Sequence, residues 1–166
     1  MIQIQDNFFS ESAFKQMQSI LMSDRFNWFW NEHMVDLEDE SEDTFQFTHT
    51  FYNERVPISE LYINLPEELF TKLRIVLLIL IKANLTTRTP EQELSEFHVD
   101  HDIPNALTSI YYVNSNNGCT VFEETGEKVE SVQNRMITFP SNLRHATLSH
   151  TDTKRRVLLN INYTTI

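Results

Sequence analysis

Apolar positions along the chain follow two different rhythms, and the change falls near Pro90. Before it, helix and strand patterns mix. Ile2 to Phe9 reads as a strand. Ser10 offers a side-chain cap for a helix over Glu11 to Met22, whose Phe14, Met17, Ile20 and Leu21 share one face. Phe26 to Trp30 is an aromatic strand, with one tryptophan for the core and one for a pocket mouth. Phe45 to Tyr52 sets Phe45, Phe47, His49 and Phe51 on one side, the alternation of a half-buried strand. Pro66 can open a long helix that buries Leu69, Leu73, Val76, Leu77, Leu80 and Ile81. Leu73 to Ile81 is the most apolar stretch, but it falls far below the ~20 residues of a membrane span, so it reads as a buried helix.

After Pro90 short strands follow one another: Leu94 to Val99, Leu107 to Val113, Thr120 to Glu123, Lys128 to Ser131, Arg135 to Phe139, Ala146 to His150 and Arg156 to Tyr163. Many short strands with little helix predict a sandwich or jelly roll. With the earlier helices laid over one face, the expected class is α+β, a double-stranded β-helix supported by N-terminal helices. The 166 residues suit one domain, 1–166, with 1–90 as support and 91–166 as core.

Composition removes several alternatives. Only Gly118 and Gly126 are glycines, too few for a Walker loop, a dinucleotide-binding turn or a nucleophile elbow. A net charge of −11 carries no basic footprint for nucleic acid and would be repelled by an anionic membrane. Cys119 is the one cysteine; it reads as a small buried residue and suits a reducing compartment. The start lacks a basic n-region followed by an apolar h-region, so the expected location is cytoplasmic.

Three residues carry candidate chemistry: His98 and Asp100 in His98-Val99-Asp100, and His145. Residues i and i+2 of a strand face the same side, so His98 and Asp100 can reach one point. Two imidazoles and one carboxylate on one face of a metal leave adjacent positions open, the arrangement of non-haem Fe(II) oxygenases. Taken singly, the His-x-Asp also fits a strand end, and His145 a turn.

Two further residues add weight. On the last strand Arg156, Leu158, Asn160 and Asn162 share one face, and Val157, Leu159 and Ile161 the other. The apolar set should pack on the helices, which aims Arg156 into the barrel mouth, where a guanidinium can grip a carboxylate through two parallel bonds. Arg155 reads as a strand-end salt bridge. Thr108, Ile110 and Tyr112 share a face, and a phenol aimed inward could donate to the same carboxylate; alone, Tyr112 fits a core aromatic with a satisfied hydroxyl better.

The ordered set His98-x-Asp100, Tyr111-Tyr112-Val113-Asn114, Asn117-Gly118-Cys119-Thr120-Val121-Phe122, Phe139-Pro140, His145-Ala146 and Arg156 resembles the 2-oxoglutarate/Fe(II) dioxygenases. Within them it is most similar to the prolyl 4-hydroxylase-like branch, including small stand-alone bacterial and phage members, over Leu94 to Tyr163. The resemblance implies that His98, Asp100 and His145 are the catalytic metal ligands and bind Fe(II). It implies that Arg156 and Tyr112 bind the distal carboxylate of 2-oxoglutarate, with O2 as oxidant and ascorbate as an accessory. The implied reaction converts 2-oxoglutarate to succinate and CO2 while hydroxylating an unactivated C–H of a peptidyl residue, proline-like, or of a small molecule. Asn117-Gly118 stands where relatives often show two glycines.

Other readings stay open beside this one: a non-catalytic jelly-roll module that binds metal or carbohydrate, and a cupin-type enzyme. An inward Arg156 argues against the first, and a His-x-Asp with one distal His against the second. His150 is a weaker alternative to His145 as third ligand; His33 and His49 are unassigned, and His101, directly after the metal motif, reads as a turn residue that could shape the substrate side. The run from Asp36 to Asp43 holds six acids in eight positions and reads as a solvated loop. As a lid it would favour a basic peptide or amine substrate.

Overall fold

The computed structural model describes residues 1–34 and 45–165, so the acidic run lies outside the described residues. The chain begins with β1 (Gln3–Gln5) and α1 (Glu11–Leu21), followed by β2 (Phe29–Asn31), β3 (Gln46–Asn53) and β4 (Val56–Pro57). Next come a 3-10 turn at Glu60–Asn64, α2 (Glu67–Leu73) and the long β5 (Leu77–Thr87). The remainder is β6 (Ala106–Tyr112), β7 (Cys119–Phe122), β8 (Lys128–Glu130), β9 (Arg135–Pro140), β10 (His145–Leu148) and β11 (Arg155–Thr164).

Helix α1 forms as its cap foretells: the Ser10 hydroxyl accepts from the Ala13 N–H, and Ala13, Met17 and Leu21 are buried. The expected long second helix does not form. α2 stops at Leu73, where Arg74 turns left-handed at φ 50°, and the apolar run continues as β5. A continuous apolar run satisfies both the helical and the strand period, so periodicity cannot separate them. Here the strand wins because β11 and β3 hydrogen-bond it from both sides. Ile81, Ala83 and Leu85 are buried, while Val76 and Leu77, predicted to be buried, are exposed.

Leu94 to Val99 is also not a strand. It meets β10 through two isolated bridges, Leu94 to Leu148 and His98 to His145, and through Ser95, whose N–H donates to the Thr147 carbonyl at 2.9 Å. The expected first strand shrinks to Gln3–Gln5.

Among the described residues, eight strands form one antiparallel sheet in the order β1-β9-β6-β11-β5-β3-β2, with β4 beside β3. A second sheet has the order β10-β7-β8. Phe122 and Val129 of the small sheet pack against Ile110, Tyr112, Ile137, Phe139 and Leu158 of the large one. The other face of the large sheet buries Val157, Leu159 and Ile161 against Met17, Leu21 and Leu69, so the helices cover one side as the alternation required. This is a mixed α+β double-sheet fold of jelly-roll type. No described helix is long and apolar enough to cross a membrane.

Candidate metal centre

His98 and His145 meet because their backbones pair at one bridge. The N–H of His98 donates to the carbonyl of His145 at 3.0 Å, and the reverse bond measures 2.9 Å. Their rings lie 4.5 Å apart between centroids. Asp100 follows two residues later, its N–H bonded to the Ser141 carbonyl at 3.1 Å. His98 Nε2 lies 4.0 Å from Asp100 Oδ1, and His145 Nε2 3.9 Å from Asp100 Oδ2. One ligand atom from each residue falls within 4.8 Å of the others, close enough for one ion.

Neighbouring groups orient these ligands. Thr108 Oγ1 donates to Asp100 Oδ2 at 2.8 Å. Asn160 Nδ2 lies 3.2 Å from both Asp100 oxygens, and Asn162 Nδ2 donates to Asn160 Oδ1 at 2.6 Å. His145 Nδ1 faces the Leu143 carbonyl at 3.0 Å, so a proton there leaves the Nε2 lone pair free for a metal. Phe139 stands edge-on to the His145 ring at 4.8 Å. Burial first, then the neighbouring His145, holds the His98 imidazole below its ordinary value, with Lys82 a smaller influence; Asp100 opposes them. A neutral imidazole is the form that binds metal.

Arg156 lies on the same face of β11 as Asn160 and is only 2% exposed. Its Nε donates to Ser131 Oγ at 2.9 Å and its Nη1 reaches Thr147 Oγ1 at 3.5 Å. Its Nη2 is buried with no hydrogen-bond partner, and no described carboxylate pairs with it. The guanidinium sits 5.7 Å from the Tyr112 ring centroid. Tyr112 is fully buried, and its hydroxyl shares a 2.7 Å bond with Thr120 Oγ1. A buried cation without a counter-ion is costly, and a bound carboxylate supplies one. A cavity of about 50 Å³ is lined by His98, His145, Leu158 and Asn160, and by Thr147 and Thr120, the hydrogen-bond partners of Arg156 and Tyr112. The donor set and the orphaned guanidinium nitrogen therefore fit both a hard divalent metal and a small dicarboxylate.

Among the described residues Arg155 makes no salt bridge; its Nη2 donates to the Met22 carbonyl at 2.7 Å, at the carboxyl end of α1. His150 is buried beside Gly118 and within the field of Arg156, apart from the three-residue cluster. His49 is buried between Asn27 O and Ser59 Oγ. Cys119 is buried and free. Trp28 packs on the core, whereas Trp30 is 60% exposed and stacks on Phe45. Sequence reading assigned no role to Thr108, Asn160 and Asn162. The available signal was their polarity on a strand face that must be buried.

No protein-family model and no curated protein matches the chain. Solved structures do. An oxidoreductase of the 2OG-Fe(II) oxygenase family from Burkholderia pseudomallei superposes with a TM-score of 0.69 at 10% identity, covering 98% of this chain and 84% of that one. A Trichoplax adhaerens prolyl hydroxylase, solved with a hypoxia inducible factor peptide fragment, gives 0.68 at 12% identity, with coverage of 98% and 83%. HygX from Streptomyces hygroscopicus, with nickel and 2-oxoglutarate bound, gives 0.59 at 13% identity, with coverage of 99% and 82%. The chain thus has the fold of the 2-oxoglutarate/Fe(II) oxygenases. At these identities the likeness is one of fold alone.

Proposed function

We propose that the protein is a 2-oxoglutarate- and Fe(II)-dependent dioxygenase whose single domain spans 1–166. The observation that carries this reading is the pairing of a His98–Asp100–His145 cluster with a buried, unpaired Arg156 in the same fold layer. A metal-binding module has no use for the second element. We place it in the prolyl 4-hydroxylase-like branch, hydroxylating a peptidyl residue or a small molecule in the cytoplasm, with ascorbate as an accessory reductant.

In this reading His98, Asp100 and His145 hold Fe(II), which when bound supplies the activation of O2 and the oxidative decarboxylation of the keto acid. Arg156 binds the distal carboxylate through Nη2, and the Tyr112 hydroxyl, which shares a bond with Thr120, donates to the same group. Thr108 and Asn160 hold the Asp100 carboxylate so that its ligating oxygen does not rotate away. Ile110, Leu158 and Phe139 keep water from the pocket, where a coupled oxidation must exclude it.

The test is succinate release from 2-oxoglutarate in air with added Fe(II). The wild type should produce succinate slowly without substrate and faster with it, and Asp100→Ala should produce none. Equal release by Asp100→Ala, or none by the wild type with iron bound, would remove this reading.

A further inference from the structure

Strand β5 carries a row of residues with no assigned task. Across the ladder Lys82 stands opposite Asn160, Asn84 opposite Leu158 and Thr86 opposite Arg156. Directly opposed residues share a face. Lys82, Asn84 and Thr86 therefore extend the very face that carries Asn160 and Arg156, away from β6. All three are half-buried, while the alternate Ile81, Ala83 and Leu85 are buried against the helices. The small sheet packs over β6, β9 and β11, so the β5 part of this face forms a polar floor flanking the metal centre.

Two features of that floor are unspent. Lys82 has no described carboxylate within ion-pair distance. Asn84 Oδ1 is buried without a hydrogen-bond partner, and Asn84 lines the same small cavity as His98 and His145. 2-Oxoglutarate carries no hydrogen-bond donor, so it cannot satisfy a carbonyl oxygen such as Asn84 Oδ1. Its distal carboxylate is already matched to Arg156.

Resting on the proposed oxygenase reading, we infer that Lys82 and Asn84 form a recognition site for the primary substrate, binding an anionic group and an adjacent N–H or O–H donor respectively. The substrate class is thus a small acid with a neighbouring donor, such as a free amino acid or a hydroxy acid. This inner site has the sign opposite to the acidic run at Asp36 to Asp43, which would favour a basic partner. Two residues on one strand face have Cα atoms ~6.5–7 Å apart, close enough for their side chains to converge on one small molecule.

The test loads the protein with Fe(II) and 2-oxoglutarate and offers paired compounds: free L-amino acids and hydroxy acids, each beside its neutral amide. Succinate release above the substrate-free rate is recorded, with the 2-oxoglutarate dissociation constant from the charge-transfer band. A carboxylate should stimulate release at least ~10-fold better than its amide. Lys82→Met should raise the KM for that acid by at least ~10-fold, Lys82→Arg should restore most of it, and 2-oxoglutarate affinity should stay within ~2-fold in both. Equal use of acid and amide, stimulation by amines alone, no stimulation by any acid, or an unchanged KM in Lys82→Met would each overturn the inference. A wild type without the 2-oxoglutarate-dependent band would instead overturn the oxygenase reading beneath it.

Discussion

Asn160 holds Asp100 by both carboxylate oxygens, 3.2 Å from each, across a gap of sixty residues in sequence. The contact ties the last strand to the loop that carries two of the three candidate metal ligands. Loops supply chemistry but not rigidity, and this amide lends the loop the stiffness of a central strand. Asn160 is in turn fixed by Asn162. Replacing Asn160 with Leu should leave the fold intact, since Leu158 on its own face and Ile110 opposite it on β6 are already apolar. Loss of an orienting partner of a ligand costs ~10–100-fold in metal affinity. Isothermal titration with Fe(II) or Co(II) should show that loss, with a melting temperature close to the wild type.

Arg156 and Arg155 should separate cleanly. Arg156 is buried and reaches Thr147 of the cavity lining, while Arg155 bonds the end of α1. Arg156→Ala should weaken 2-oxoglutarate binding by at least ~10-fold, which corresponds to ~1.4 kcal/mol. Arg155→Ala should leave that binding unchanged and cost ~0.3–1 kcal/mol of stability from the helix terminus. Binding titrations and urea unfolding of the two variants check this; reversed effects would mean that the strand register is off by one.

Stability of the metal-free protein should fall on mild acidification. Burial holds the His150 imidazole below its ordinary 6.5, and the charge of Arg156 adds to the effect. Above pH 6.5 the folded and unfolded chains both carry the neutral ring, and no dependence arises. Below it the unfolded chain takes up a proton that the native chain resists, so stability drops until the pH reaches the lowered native value. Urea unfolding between pH 7.5 and 5.5 should show the decline, and His150→Leu should make it shallower. Equal slopes in the two proteins would contradict it.

Gly118→Ala should be destabilising. An added Cβ would stand 2.9 Å from Asn116 Oδ1, 3.0 Å from the Leu148 carbonyl and 3.2 Å from His150 Cβ. A contact with backbone cannot be relieved by a rotamer change, and overpacking of this kind costs ~1–3 kcal/mol. Denaturant unfolding measures it, with Gly126→Ala as the contrast: there space is open but φ is +67°.

The second half of the chain was legible because its strands are short, alternating and separated by turn residues. The alternation in Arg156 to Tyr163 was enough to tell the helix-facing side from the site-facing side, and the ordered His98, Asp100, His145 and Arg156 all reach one layer. β5 was not legible. Its apolar run from Leu77 to Ile81 suits a helix as well as a strand, and only its two neighbours in the sheet decide between them. That one error hid Lys82 and Asn84, since on a helix they would not share a face with Asn160. The His98 segment shows the opposite case. It is no strand, yet one bridge to His145 brings the side chains together as a strand would.

The most direct measurement is an anaerobic titration of the metal-free protein with Fe(II) in the presence of 2-oxoglutarate, followed by the weak metal-to-ligand charge-transfer band. The band should rise to one iron per chain in the wild type. It should be absent in His98→Ala and Asp100→Ala, and it should need at least ~10-fold more 2-oxoglutarate in Arg156→Ala. Full iron retention with an unchanged band in either ligand variant would contradict the assignment of His98, Asp100 and His145 as the metal centre.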